Sequence, residues 1–228
     1  MTESEWLACT DPQKMLEFLL GKASDRKLRL FTCAYCRHIL QDNKAVQVAE
    51  RFADGLAINA ERKHSRNQAI KAAISSELAG RGGINTLMSV ADSAIARILC
   101  PPSRLYRECG TLPTEIVAAV RGVNAQASNE LQQTQVMVLR DTFGNPFCPA
   151  SLDPTVLFWH NAAVGRLAQA AYDERQMPAG TLDNGRLAVL ADALEEAGCN
   201  DPDILHHLRG PGPHVRGCWV VDTILGKT

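Results

Sequence analysis

The chain has 228 residues, 46% of them hydrophobic, with 24 Lys and Arg against 25 Asp and Glu. That length and apolar content suffice for one or two packed domains, and a net charge of −1 excludes a whole-molecule attraction to nucleic acid or to an anionic membrane. The acidic Met1-Thr-Glu-Ser-Glu5 start lacks a secretory signal, and no stretch nears the roughly 18 apolar residues of a spanning helix. The expectation is a cytoplasmic protein with no membrane partner and with reduced cysteines.

Helices are expected along the whole chain, and three Asp-Pro steps, at Asp11-Pro12, Asp153-Pro154 and Asp201-Pro202, mark starts, because Asp caps free N–H groups and Pro fits the first helical position. After the first, Met15, Leu16, Leu19 and Leu20 share a face and Gly21 ends the helix. Ser24 caps a second, with Leu28, Phe31, Tyr35 and Ile39 inward. Val46, Ala49, Phe52, Ala53 and Leu56 stripe a third, and Glu61 to Leu78 reads as a more polar fourth. Gly80-Arg-Gly-Gly83 breaks the pattern. Asn85 to Leu99 follows and stops at Cys100-Pro101-Pro102, since Pro cannot continue the ladder. A long helix runs from Thr114 to about Asp141, and Phe143 to Pro149 is a turn with aromatic anchors. Further helices are expected from Pro154 to Arg175, from Leu187 to Ala197 with Gly198 as terminator, from Pro202 to Leu208, and from Val215 to Leu225. Period-two alternation is scarce, apart from an alternative strand pair near Cys218 to Ile224. The expected fold class is therefore all-α, an array of packed helical hairpins in one continuous domain or in two sub-bundles, 1–110 and 111–228.

Charge is unevenly spread. Between Lys22 and Lys71 there are eleven Lys/Arg against five Asp/Glu, and between Asp173 and Asp203 eight acids against two Arg. Arg26, Lys27, Arg29, Arg62, Lys63 and Arg66, followed by Lys71, make a nucleic-acid face one reading, although without interleaved aromatics a solvated helix face is the plainer one.

Cysteine and histidine gather at the C-terminal end. Cys199, His207, His214 and Cys218 are a candidate metal set, because Gly210-Pro-Gly-Pro213 can turn the chain back on itself and four N and S donors suit zinc. His206 and His207 point about 100° apart on a helix, so they do not readily share an ion. A second set is Cys33, Cys36 and His38, with the i, i+3 thiol spacing but no second Cys-x-x-Cys. The same residue types also supply a thiol-hydrolase list, Cys218 or Cys199 with His214 or His207 and Asp222 or Asp192. The plainer reading of all these residues is architecture: buried thiols and hydrogen-bonded rings at a Gly/Pro corner. Walker, Gly-x-Gly-x-x-Gly, His-Glu-x-x-His and Gly-x-Ser-x-Gly motifs do not occur.

Three strings, Arg140-Asp-Thr-Phe-Gly-Asn-Pro-Phe147, Leu190-Ala-Asp-Ala-Leu-Glu-Glu-Ala-Gly-Cys199 and His214-Val-Arg-Gly-Cys-Trp-Val-Val-Asp222, together with Trp6 to Pro12, resemble a large family common in planctomycete bacteria. The resemblance spans most of the chain. It implies a lineage and no particular activity, while the Leu190 to Gly198 segment also resembles the short helical motif of another planctomycete repeat module, which implies a recurring helical building block. Relatives tend to carry Cys where this chain has Leu208 and Arg where it has Cys148.

The leading functional expectation is a helical scaffold or regulatory protein that binds another protein. The rivals are a zinc- or thiol-dependent hydrolase centred on His207, His214 and Cys218, with zinc as the implied cofactor, and a nucleic-acid binder using the basic N-terminal helices.

Overall fold

The computed structural model describes residues 1–40, 43–78, 93–101, 115, 118 and 125–228, apart from the side chains of 38–40, 76–78 and 125. Among them no strand occurs and ten named helices do: α1 (Glu3–Ala8), α2 (Pro12–Leu19), α3 (Asp25–Leu40), α4 (Lys44–Ala53), α5 (Asn59–Leu78), α6 (Ala125–Phe143), α7 (Pro154–Asp173), α8 (Asn184–Glu196), α9 (Pro202–Arg209) and α10 (Trp219–Leu225). Residues 93–98 are also helical. No helix of the described residues is long and apolar enough to cross a membrane.

All three Asp-Pro starts cap as expected. Asp11 accepts from the Gln13 and Lys14 amides, Asp153 from Thr155, and Asp201 from Asp203 and Ile204, each with Pro in the first turn. Helix α1 is an element that the apolar spacing does not announce. Thr2 and Glu5 form a reciprocal capping box at its start, and Trp6 is fully buried.

Two compact units divide the chain at Val136/Met137, inside α6. In the first, α3 packs on α4 and α4 on α5. Cys33, Tyr35, Cys36, Val46, Ala49 and Ala69 form a core with Ile95, Ile98 and Leu99. Arg37 and Glu50 are almost wholly buried and joined in a two-pronged ion pair, Nε to Oε1 at 2.8 Å and Nη2 to Oε2 at 3.0 Å, which ties α3 to α4. Leu20 and Leu56 differ from expectation. They are exposed, because α2 ends at Leu19 and α4 at Ala53, before either residue can join its stripe. The Gly80 to Gly83 break and the start of the long helix at Thr114 lie outside the described residues.

In the second unit, α7 packs on α8 and α10, α8 on α9, and α9 on α10. Val164, Ala168, Tyr172, Leu187, Leu190, Leu194, Ile204, Leu208, Val220 and Val221 fill the core between them. The 154–175 segment, expected as one helix, is broken. Trp159 is extended and His160, Asn161 and Ala162 take left-handed dihedrals. The Arg166 guanidinium donates back to the His160 and Asn161 carbonyls. Residues 219–225 are helical, so the strand-pair alternative at Cys218 to Ile224 is corrected. What extended pairing exists is two isolated bridges, Gln176 with Thr181 and Thr181 with Val215. The second ties the chain just after the Gly/Pro turn to the segment that precedes α8.

Candidate metal centre

Four segments of the second unit bring one side chain each to a common point: Asp141 from the last turn of α6, His207 from the last turn of α9, His214 from the loop after Gly210-Pro-Gly-Pro213, and Cys218 from the residue that caps α10. Their donor atoms all lie within 4.8 Å of one another, and all but His207 are buried. Asp141 Oδ1 is 2.8 Å from His214 Nδ1 and 3.1 Å from His207 Nε2. His207 Nε2 is in turn 3.2 Å from Cys218 Sγ.

Two of these side chains are held by their second polar atom. Asp141 Oδ2 accepts the Val215 amide at 2.8 Å, which leaves Oδ1 for the cluster. The Gly210 carbonyl accepts from His214 Nε2 at 3.3 Å, an arrangement that places the proton on Nε2 and turns the Nδ1 lone pair toward Asp141. The His207 ring lies edge-on to His214, centroids 4.8 Å apart, and 5.1 Å from the Trp219 ring. Two glycines make these approaches feasible. A Cβ on Gly212, at φ +80°, would sit 2.7 Å from the His214 amide nitrogen, and one on Gly144, at φ +60°, would sit 2.9 Å from Trp219 Cγ.

The electrostatics follow from burial opposed by neighbours. Burial pushes Asp141 up, but hydrogen bonds from His207 and His214 and their charge outweigh it and hold the carboxyl below its ordinary value. Burial likewise works against charging His214, yet the hydrogen bond and charge of Asp141, with the Gly210 carbonyl, raise it above its ordinary value. Without a metal, the 2.8 Å contact between Asp141 and a ring whose other nitrogen already donates requires an imidazolium in a place only 3% exposed. A divalent ion removes that requirement: its charge is balanced by one carboxylate and one thiolate, with both rings neutral.

The structure brings together three of the four sequence candidates and replaces the other. Cys199 is packed in the apolar core instead of with His207, His214 and Cys218. Asp141 takes its place, 73 residues from His214. Three of these donors, Asp141, His214 and Cys218, lie in the Arg140–Phe147 and His214–Asp222 strings. Leu208, next to His207, belongs to the core.

The hydrolase list fares differently. Asp222 is buried in α10 but outside the converging set, and Asp192 is exposed and paired with Arg209. Cys218 meets His207, but through the same Nε2 that faces Asp141, so the ring does not bridge thiol and carboxylate with opposite nitrogens as a triad does. Cys218 is 0% exposed. A cleft of about 280 Å³, lined by Gln176, Asp183, Asn184 and Pro213 among others, has His214 in its wall.

Cys33 and Cys36 are buried in the first unit's core, where burial first and Glu50 next push the Cys33 thiol up, opposite to what a ligand needs. The side chain of His38 lies outside the described residues. None of the seven described cysteines is in a disulfide, and Cys109 lies outside the described residues. Of the basic set, Arg29 and Arg62 are buried, Arg26 is paired with Asp54, and Lys63 is exposed. These residues therefore do not form one solvated face. No family model, no curated protein and no solved structure matches the chain.

Proposed function

We propose that the second unit is a zinc-binding helical module whose ion is held by Asp141 Oδ1, His207 Nε2, His214 Nδ1 and Cys218 Sγ. The observation that carries this reading is the convergence of four donors of the types zinc takes, within 4.8 Å of one another. In a tetrahedral site with bonds of about 2.0–2.3 Å, donor atoms stand about 3.3–3.8 Å apart. The contacts of 2.8, 3.1 and 3.2 Å fall below that spacing and the widest separations, up to 4.8 Å, lie above it, so an ion enters with the close pairs moving apart and the distant donors drawing in.

Four protein donors leave no coordination position for water, which favours a structural ion over a catalytic one. The module then serves as a rigid helical surface for another protein, and hydrolysis by a metal-bound water or by the enclosed Cys218 thiol is disfavoured. Nucleic-acid binding through the N-terminal basic set is disfavoured by the burial of Arg29 and Arg62.

Metal analysis of the purified chain tests the proposal. A single zinc ion per chain is expected, with Asp141→Ala and Cys218→Ser each lowering occupancy. Cobalt(II) replacement should give a thiolate charge-transfer band that Cys218→Ser abolishes. A chain that binds neither metal overturns the reading, and a zinc-dependent turnover abolished by Asp141→Ala transfers it to the hydrolase alternative.

A further inference from the structure

Arg29 on α3 and Arg62 and Arg66 on α5 surround the C-terminal end of the 93–98 helical segment in the first unit. Arg29 Nη2 donates to the Cys100 carbonyl at 3.2 Å, Arg62 Nη1 to that of Leu99, and Arg66 Nε to that of Ala96 at 3.2 Å. The Arg29 and Arg62 guanidinium carbons each lie 5.1 Å from the Phe52 ring. A guanidinium carries five N–H donors. Arg29 and Arg66 each use one of theirs, and Arg62 uses two, the second on Asn59 Oδ1 at 3.3 Å.

Nothing among the described residues balances this charge. The flanking acids are already engaged: Asp54 with Arg26 at 2.9 Å, Glu50 with Arg37 at 2.8 Å and Glu61 with Arg51 at 2.7 Å. Helix-end carbonyls offer only about half an elementary charge against three cations that do not deprotonate. Arg29, 1% exposed, has its Nη1 buried with no hydrogen-bond partner, an arrangement that is costly unless something supplies an acceptor. Burial first, then the neighbouring Arg29 charge, holds Arg62 below its ordinary value, with Arg66 adding to the effect.

We propose that Arg29, Arg62 and Arg66 form a binding site for a tetrahedral oxyanion of the phosphate class, either free or as the terminal group of a small phosphate ester. Guanidinium edges not spent on the 96–100 carbonyls pair with its oxygens, the geometry in which arginine binds phosphate best. Arg66, the partly exposed member of the three, marks the side of entry. The site is independent of the metal centre, since every residue in it belongs to the first unit.

The test is calorimetric titration of the full chain with inorganic phosphate and, separately, with glycerol phosphate, at ionic strength held constant with chloride. Saturable binding of at least one is expected, and the tighter of the two identifies the source. Arg66→Gln should weaken it by roughly tenfold or more, the worth of a hydrogen bond to a charged group, while Lys63→Gln, which changes an exposed neighbour, should leave it unchanged. Arg62→Gln is the second variant, with circular dichroism to verify that each variant folds. Absence of saturable binding for both anions, equal affinity in Arg66→Gln, or equal losses in Arg66→Gln and Lys63→Gln overturns the proposal. So does binding restricted to single-stranded oligonucleotides, which would mark a nucleic-acid surface instead.

Discussion

Asp141 divides its work between two oxygens: Oδ2 fixes the backbone at Val215 while Oδ1 faces both rings. That division sets a pH signature. In chelated protein the folded chain holds the His214 proton more tightly than the unfolded one, so its stabilisation is complete below the ordinary value of 6.5 and is lost as pH rises through the raised value. Asp141 contributes above its ordinary 3.8 and loses that contribution as pH falls through its lowered value. Chelated protein should therefore be most stable between about pH 4 and 6.5, whereas zinc loading, which displaces protons, should strengthen as pH rises. Urea unfolding across pH, with and without chelator, checks this, and coincident profiles contradict it. In the first unit, the Arg37–Glu50 pair is as sensitive as any single contact. Glu50→Gln leaves a buried guanidinium without its counter-charge, and the expected loss is about 3–5 kcal/mol in urea melts.

Each element near the metal centre is placed by its own terminus. Helix α9 starts where Asp201 caps it and ends two residues after His207, at Arg209. Gly210 then takes an extended conformation that begins the Gly/Pro turn. Gly212 holds a left-handed position inside that turn with no room for a Cβ, whereas Gly198, also left-handed at φ +96°, has open space around it. Gly198→Ala should cost only the conformational part, about 1–2 kcal/mol. Gly212→Ala should cost more, because the added carbon meets the His214 amide, and should also weaken zinc binding by moving that ring. Thermal melts and a zinc competition assay compare the two, and equal behaviour argues against the turn as the device that aims His214.

At the scale of the whole chain, the metal acts on one unit. All four donors lie after Met137, and the second unit has its own apolar core. Zinc is therefore expected to raise the stability of a unit that already packs, in contrast to small fingers that are unfolded without it. With free zinc at about a thousandfold its dissociation constant, the gain is about 4 kcal/mol. Chelation should speed amide hydrogen exchange in α9 and α10 and leave the protection of α3, α4 and α5 unchanged. Equal effects on both sets would contradict a metal confined to the second unit.

What the amino-acid order determined by itself is local. Asp-Pro steps cap helices through atoms two or three residues away, and the 3.6-residue period lines up Met15, Leu16 and Leu19 or Leu187, Leu190 and Leu194 without any distant partner. The all-α class, the glycine stops and the crowding of His207, His214 and Cys218 were therefore legible. Asp141 was not, because it lies 73 residues before His214 and looks like one acid at the end of a helix. Nor was the exclusion of Cys199, whose place in the apolar core depends on how α8 and α9 pack. The break at His160 to Ala162 also escaped, since no proline or glycine marks it. Tertiary structure decided which donors meet, because convergence depends on where packed helices end in space, and that is set by cores assembled from residues far apart in the chain.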